Sequence, residues 1–320
     1  SPLRPHTSPP DVSPLGSDHI TILLATFNGA ETLTDQLESL SRQTHENWSL
    51  IVSDDGSSDQ TPDIVGDFTN RHPEKRVTLL PGPARGSAQN FLSLLRVAGN
   101  APFVAFCDQD DVWFDTKLER AFARLGQTIG PAIYGSTTMI TDRDLNPLRP
   151  SLKFQRAPDF KNALVQNIAG GNTMVINRAA LDVLQPASLK AARIMSHDWW
   201  CYQMVTGIGG RMFYDTEPSL YYRQHATNQI GANDTLRAKI LRFRRLVCGD
   251  FAQSLDCHFH ALRESQECMT PAARHALARC YHLSSNHVYA RLYAFWTSGI
   301  YRQTFPGTLA LSLAVLTGRL

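Results

Sequence analysis

The chain has 320 residues, of which 42% are hydrophobic and 19% charged; that length holds one large domain or two smaller ones, and that balance excludes wholesale disorder. Lys and Arg number 31 against 29 Asp and Glu, a net charge of +2, so nothing marks a protein that coats nucleic acid. No run of about 18 apolar residues occurs, and the nearest stretch, Thr308 to Leu316, is too short to cross a bilayer core of about 30 Å as a helix.

Residues 1–17 carry Pro2, Pro5, Pro9, Pro10 and Pro14 without an apolar signal-like core, and read as a mobile leader. Ile20 to Leu24 is a short β-branched apolar run that stops at Thr26-Phe27-Asn28-Gly29, the pattern of a buried strand ending in a loop. Leu33, Leu37 and Leu40 then lie on one face at helical period. The unit repeats: Trp48 to Val52 is strand-like and ends in Ser53-Asp54-Asp55-Gly56, and Thr61 to Phe68 is a helix with Pro62 in its first turn. Val77 to Leu80 predicts a third strand, Ser87 to Val97 a third helix, and Phe103 to Cys107 a fourth strand.

Such alternation implies a parallel sheet whose ligands sit outside the carboxyl ends of its strands, where the polar clusters fall. Beyond Gly126 the order is less regular, with strand-like pieces at Ile133-Tyr134, Met139-Ile140, Asn172 to Ile176 and Met212 to Tyr214. From about Asn233 to Leu320 only helical patterns occur, including a basic amphipathic stretch from Leu236 to Val247. The division is therefore a leader (1–17), an α/β domain (18–231) and a helical C-terminal region (232–320). Six cysteines without a CxxC pair fit free thiols in a reducing cytoplasm, and Cys257, His258, His260 and Cys268 lack the paired spacing of a zinc finger.

Four motifs carry chemistry, of which Asp54-Asp55-Gly56-Ser57 after the second strand reads either as a turn and helix start or, from its place at a strand end, as a ligand contact. Asp108, Asp110 and Asp111 follow an apolar strand; so many carboxylates together either hold a divalent cation such as Mg²⁺ or Mn²⁺, completed by substrate phosphate, or form a solvated turn that caps the next helix. His197-Asp198-Trp199-Trp200 sets an acid beside two aromatics, which read either as an apolar wall that positions a sugar ring or as a helix start with buried tryptophans. Tyr221 to His225 brings a guanidinium and an imidazole close together, suited to diphosphate and metal.

In order and spacing across residues 19–231, these segments resemble the family 2 glycosyltransferases with the GT-A fold. The matching residues are Thr26-Phe27-Asn28, Ser53 to Asp59, Asp108-Gln109-Asp110-Asp111-Val112-Trp113, His197-Asp198-Trp199-Trp200 and Tyr222 to Asn228. The last three look most like the bacterial rhamnosyltransferase branch that builds cell-surface polysaccharide. The resemblance implies a Rossmann-like, mostly parallel sheet flanked by helices, with a helical C-terminal region. It also implies transfer, with inversion, of L-rhamnose from dTDP-rhamnose, or of another sugar from a UDP- or GDP-sugar, to a saccharide or lipid-linked saccharide.

By that resemblance Asp110 binds Mg²⁺ or Mn²⁺ with His225 as a further ligand, and Asp108 lies near the donor ribose. Asp55 pairs with the pyrimidine edge, Thr26, Phe27 and Asn28 line the nucleotide pocket, and Arg85 and Arg223 approach the diphosphate. Asp198 is the general base, and Trp199 and Trp200 form the acceptor wall. The QxxRW motif of processive members is missing, which favours addition of one or a few sugars. A nucleotidyltransferase would carry a GxGxR-type loop where Thr26-Phe27-Asn28-Gly29-Ala30 stands; a carbohydrate-binding module without turnover is the other alternative. The basic stretch Leu236 to Val247 and the apolar Thr308 to Leu316 fit peripheral contact with the inner face of a membrane, packing on the domain, or a homodimer contact.

Overall fold

The structure is a computed structural model that describes residues 15–224 and 250–320. His225 and the stretch from Leu236 to Val247 lie outside the described residues. The chain runs β1 (Ile20–Thr26), α1 (Leu33–Ser41), β2 (Trp48–Asp54), α2 (Thr61–Arg71), β3 (Val77–Pro81), α3 (Ser87–Val97), β4 (Phe103–Cys107), β5 (Val112–Trp113), α4 (Lys117–Leu125), β6 (Ala132–Ser136), β7 (Met139–Thr141) and β8 (Pro147–Pro150). It continues through α5 (Phe160–Ala163), a 3-10 turn (Gly171–Thr173), β9 (Val175–Asn177), α6 (Arg178–Ser188), α7 (His197–Gly207), β10 (Arg211–Asp215) and β11 (Leu220–Arg223). The helices α8 (Asp250–Arg263), α9 (Pro271–Cys280), α10 (Val288–Ser298) and α11 (Phe305–Thr317) follow.

Seven strands form the main sheet in the order β10-β6-β9-β4-β1-β2-β3. All its pairings are parallel except those of β9, which runs antiparallel to β4 and β6. Side chains alternate across a strand, so Ile20, Ile22 and Leu24 of β1 enter the core under α1, α2 and α4, while Leu23 enters the opposite core with α3, α6 and α7. Helices thus cover both faces, the arrangement that a parallel sheet requires. In α1 the residues expected on one face, Leu33, Leu37 and Leu40, are all buried.

A second sheet, β5-β11-β7-β8, stands beside the first. Its strands have 2 to 4 residues. β7 occupies the expected Met139-Ile140 strand, and the expected strand from Asn172 to Ile176 divides into the 3-10 turn and β9. Because β1, β2 and β4 are parallel and in register, with Thr26 opposite Asp54 and Leu24 opposite Cys107, their polar extensions emerge side by side.

Candidate active site

The first of these extensions is tied to the second by side chains that reach across the strand ends. Thr26 is buried and donates Oγ1–H to Asp54 Oδ1 (2.8 Å), while the Ser57 N–H and hydroxyl donate to the same carboxylate (2.8 and 2.6 Å). Asn28 adopts a φ of 48°, a left-handed conformation that Asn tolerates, and its Oδ1 accepts from the Ser58 N–H at 2.9 Å. Gln109 closes a reciprocal amide pair on Phe27, accepting from its N–H (2.8 Å) and donating to its carbonyl (3.1 Å). A Cβ at Gly29 would collide with that Gln109 side chain. Gln109 was assigned no role from sequence, yet it joins the third strand end to the first.

Asp55 accepts from the Ala84 N–H at 2.6 Å and the Gly86 N–H at 3.1 Å, and so anchors residues 82–86. Gly86 has a φ of 83°, which a side chain would strain, and it leads into α3. The result is a cleft of about 480 Å³ lined by Thr26, Phe27, Asp55, Gly86, Asp108 and Asp110, among others. Arg85 stands exposed on the same anchored loop, outside the lining of the cleft.

In the acidic loop the carboxylates part company. Asp108 and Asp110 line the cleft, whereas Asp111 turns inward and accepts from Asn172 Nδ2. Burial, then the charges of Asp110 and Asp198, push Asp108 up to about 7. Lys117, fully buried, donates Nζ–H to the Asn172 carbonyl (2.7 Å) and lies 3.2 Å from the Trp113 ring centre; burial pulls it down to about 7. Arg223 supports this loop from behind. It donates to the Asp110 carbonyl (3.2 Å), the Arg143 carbonyl (2.8 Å) and Asp35 Oδ2 (2.8 Å), and is 7% exposed, so its guanidinium is committed to the fold rather than open to the cleft as expected.

Asp198 lies in the first turn of α7. Its Oδ2 accepts from the Gly171 N–H (2.8 Å), and its Oδ1 from the Trp199 N–H (2.7 Å) and the Ser196 hydroxyl. Asp198 lines a cavity of about 290 Å³ with Asp108, Gly171, Asn172, His197 and Tyr222. This cavity shares Asp108 and Ser87 with the cleft, so the two adjoin. His197 stacks on Phe91 with ring centres 3.9 Å apart; burial pulls it down to about 4, which keeps it neutral. A Cβ at Gly171 would strike this imidazole, so only glycine fits the approach.

The two tryptophans differ from the wall expected of them. Trp200 is 0% and Trp199 8% exposed, and the Trp199 Nε1–H donates to the Ala163 carbonyl at 2.6 Å. α7 runs through the core and is buried on every side after its first turn, so consecutive tryptophans both face protein. His258 on α8 fastens the segment before α7. Its Nδ1–H donates to Gln203 Oε1 (2.8 Å), and its Nε2 accepts the Met195 N–H (3.3 Å). A third cavity of about 400 Å³, lined in part by Thr138, Ile140, Arg149, Phe154 and Asn167, adjoins the Asp198 cavity and shares Gly170, Asn172 and Tyr222 with it. None of its residues was singled out from sequence except Tyr222, because they are gathered from β6, β7, β8, β11 and the 167–172 loop.

Residues 21–184 match the family model for glycosyl transferase family 2, just over half of the chain. The chain belongs to glycosyltransferase family 2. It is 29% identical over 227 residues to the dTDP-rhamnosyl transferase RfbG of Shigella flexneri, covering 68% of this chain and 77% of that protein. Over 127 residues it is 31% identical to the UDP-Glc:alpha-D-GlcNAc-diphosphoundecaprenol beta-1,3-glucosyltransferase WfgD of Escherichia coli, covering 39% of this chain and 48% of the relative. Its fold matches that of S. aureus TarS 1–349 in complex with UDP-GlcNAc (TM-score 0.52, 16% identity, covering 88% of this chain and 93% of TarS). It also matches mannosyltransferase PcManGT from Pyrobaculum calidifontis in complex with GDP-Man and Mn²⁺ (TM-score 0.52, 20% identity, covering 94% and 83%). The fold is GT-A, as the motif order implied.

The side chains present fit a hard divalent cation. Asp108 and Asp110 offer only oxygen donors at the rim of the cleft, and the charge of Asp110 makes ionised Asp108 costly unless a cation offsets it. Among the described residues no three His, Cys, Asp or Glu side chains converge into a cluster. Phosphate oxygens and water would therefore complete the shell.

Proposed function

We propose that this glycosyltransferase transfers L-rhamnose from dTDP-rhamnose, with inversion, to a saccharide or lipid-linked saccharide in surface polysaccharide synthesis. The observation that carries the reading is that the cleft and the cavity that holds Asp198 meet at Asp108, which lines both. A nucleotide lies against Thr26, Phe27 and Asp55 in the cleft, with Asn28 next in the chain beyond its lining, which brings its diphosphate to Asp108 and Asp110. The acceptor reaches Asp198 from the third cavity.

The acceptor hydroxyl attacks the anomeric carbon, the bond from that carbon to the diphosphate oxygen breaks, and Asp198 takes the hydroxyl proton. Three hydrogen bonds from Gly171, Ser196 and Trp199 hold its carboxylate in place. Asp110 and Asp108, with His225 as a further ligand, would hold a divalent cation, which would supply charge stabilisation for the leaving diphosphate. Arg85, exposed on the loop anchored by Asp55, is placed to add to it.

The donor sugar rests on similarity to the Shigella flexneri protein. The Escherichia coli relative, named for UDP-Glc, supports a UDP-sugar donor as the second reading. The test is a donor screen with purified protein and Mn²⁺ or Mg²⁺, following nucleoside diphosphate release and donor-induced thermal shift. Response to dTDP-rhamnose alone is the expected result. Preference for a UDP- or GDP-sugar replaces the sugar but keeps the chemistry, and a protein that binds saccharides yet neither binds nor turns over any donor overturns the transferase reading of this site.

A further inference from the structure

The last two helices carry apolar side chains that the fold leaves in water. On α10, Tyr289, Leu292, Tyr293 and Trp296 fall at i, i+3, i+4 and i+7, one stripe, and are exposed by 84, 39, 59 and 85%. On α11, Phe305, Leu309, Leu313 and Leu316 form a second stripe, exposed by 81, 50, 43 and 45%. The opposite faces are satisfied. Arg291 of α10 is buried and donates to the Val315 and Leu316 carbonyls at the far end of α11 (2.7 and 2.9 Å), which locks the two helices into an antiparallel hairpin. A patch of this kind marks an interaction surface.

Charge decides its partner. Residues 268–320 contain no Asp or Glu and five arginines. Arg291 is spent inside the hairpin, but Arg274 and Arg319 are exposed and Arg279 lies 5.3 Å from the centre of the Tyr293 ring, and exposed aromatic rings on a stretch with cations and no acid of its own complement the headgroup layer of an anionic bilayer. α11 has no charged residue, yet at 13 residues it reaches only about 20 Å, short of a hydrocarbon core of about 30 Å. No helix among the described residues is long and apolar enough to cross a membrane.

We propose that the α10–α11 hairpin docks this protein on an anionic membrane surface through these two stripes. The hairpin's connection is held against the chain leading away from the third cavity. The Arg156 guanidinium stacks on the Tyr301 ring (3.7 Å) and the Arg156 N–H donates to Gln303 Oε1 (3.1 Å), two residues beyond Phe154 in the cavity lining. A docked hairpin therefore holds that opening near the lipid surface. Docking is independent of which donor and acceptor the enzyme uses.

The chain carries its own probe. Trp48, Trp113, Trp199 and Trp200 are buried and Trp296 is exposed, so Trp296 supplies the long-wavelength part of the tryptophan emission. The full chain is titrated with vesicles of phosphatidylcholine containing phosphatidylglycerol, and with phosphatidylcholine alone, at low and high salt. Expected are a blue shift and co-sedimentation with the anionic vesicles, weakened by salt, quenching of Trp296 by bromolipid, and at least a tenfold loss of partitioning in Trp296→Ser and in Leu313→Ser. Both side chains are solvent-facing, so unchanged thermal melts are expected to establish that the variants fold. Failure to bind anionic vesicles at low salt overturns the proposal. So does a concentration-dependent dimer that these variants dissolve while vesicles leave the emission unchanged, which assigns the surface to a second copy.

Discussion

The two sides of the active site are held by opposite means. On the donor side the structure is loop on loop: Asp54 accepts from the Thr26 hydroxyl, and Asp55, Asn28 and Gln109 stitch strand-end segments together through backbone amides close to solvent. On the Asp198 side the carboxylate stands on a helix whose tryptophans are core, backed by His258 from a helix far along the chain. Loops tied by a few hydrogen bonds can adjust around a nucleotide at little cost to global stability, whereas a base mounted on the core cannot move without disturbing packing. Substitutions on the donor side should change donor affinity alone; those behind Asp198 should change stability and turnover together.

The largest effect expected is that of Asp198→Asn. The change keeps size and most hydrogen bonds but removes the proton acceptor, so kcat falls by roughly 10³- to 10⁴-fold, the upper range for a general base, while donor affinity stays within several-fold. Single-turnover transfer and donor titration measure the two separately. Asp55→Ala, on the other side, should raise donor KM about tenfold and leave turnover at saturation nearly intact, since it frees the loop at residues 82–86. Turnover near the wild-type rate in Asp198→Asn removes this base.

Trp200→Ala follows. Trp200 has no exposed surface, and truncating a buried Trp costs about 3–5 kcal/mol through lost burial and the cavity left behind. Urea unfolding reads the loss, with kcat falling alongside because α7 also carries Asp198. A variant of wild-type stability whose only defect is acceptor KM would restore the acceptor wall read from the sequence and break the comparison.

That wall shows where local reading stops. The repeated strand and helix units from Ile20 to Cys107 are legible because each burial pattern is set by neighbours a few positions away, and the acidic loops follow from where those strands end. The second sheet is not legible in this way, since two to four residues of β5, β8 or β11 carry no periodicity of their own and pair only in the folded chain. The motif marks Asp198 as a candidate base, but not which side its tryptophans face, because that depends on α8 and α5 packing around α7. Arg223 reads by resemblance as a cation near the leaving group, and its ion pair with Asp35, 188 positions away, has no local signal. His258 stands out in the sequence only within the rejected zinc set with Cys257, His260 and Cys268, and nothing local shows that it braces the start of α7.

His258 supplies the smallest and most diagnostic test. Burial pulls it from 6.5 to about 4, and Asp198, the nearest opposing charge, does not offset that. The unfolded chain therefore takes up a proton below about 6.5 while the folded protein resists until about 4. Stability from this group is whole above about 6.5 and is lost as pH falls toward about 4, at 1.36 kcal/mol per unit, or roughly 3 kcal/mol in all. His258→Phe keeps the ring against Trp199 but removes this titration and leaves the Met195 N–H and Gln203 Oε1 without their partner. At pH 7.5 the variant should be less stable by about 1–3 kcal/mol, and the gap should close as both proteins are melted at successively lower pH, since carboxylates titrating in the same window affect both alike. A constant gap from pH 7.5 to 4.5 would mean that His258 does not enter the core as a neutral ring, and the base would then lack the packed support that distinguishes its side of the site from the donor loops.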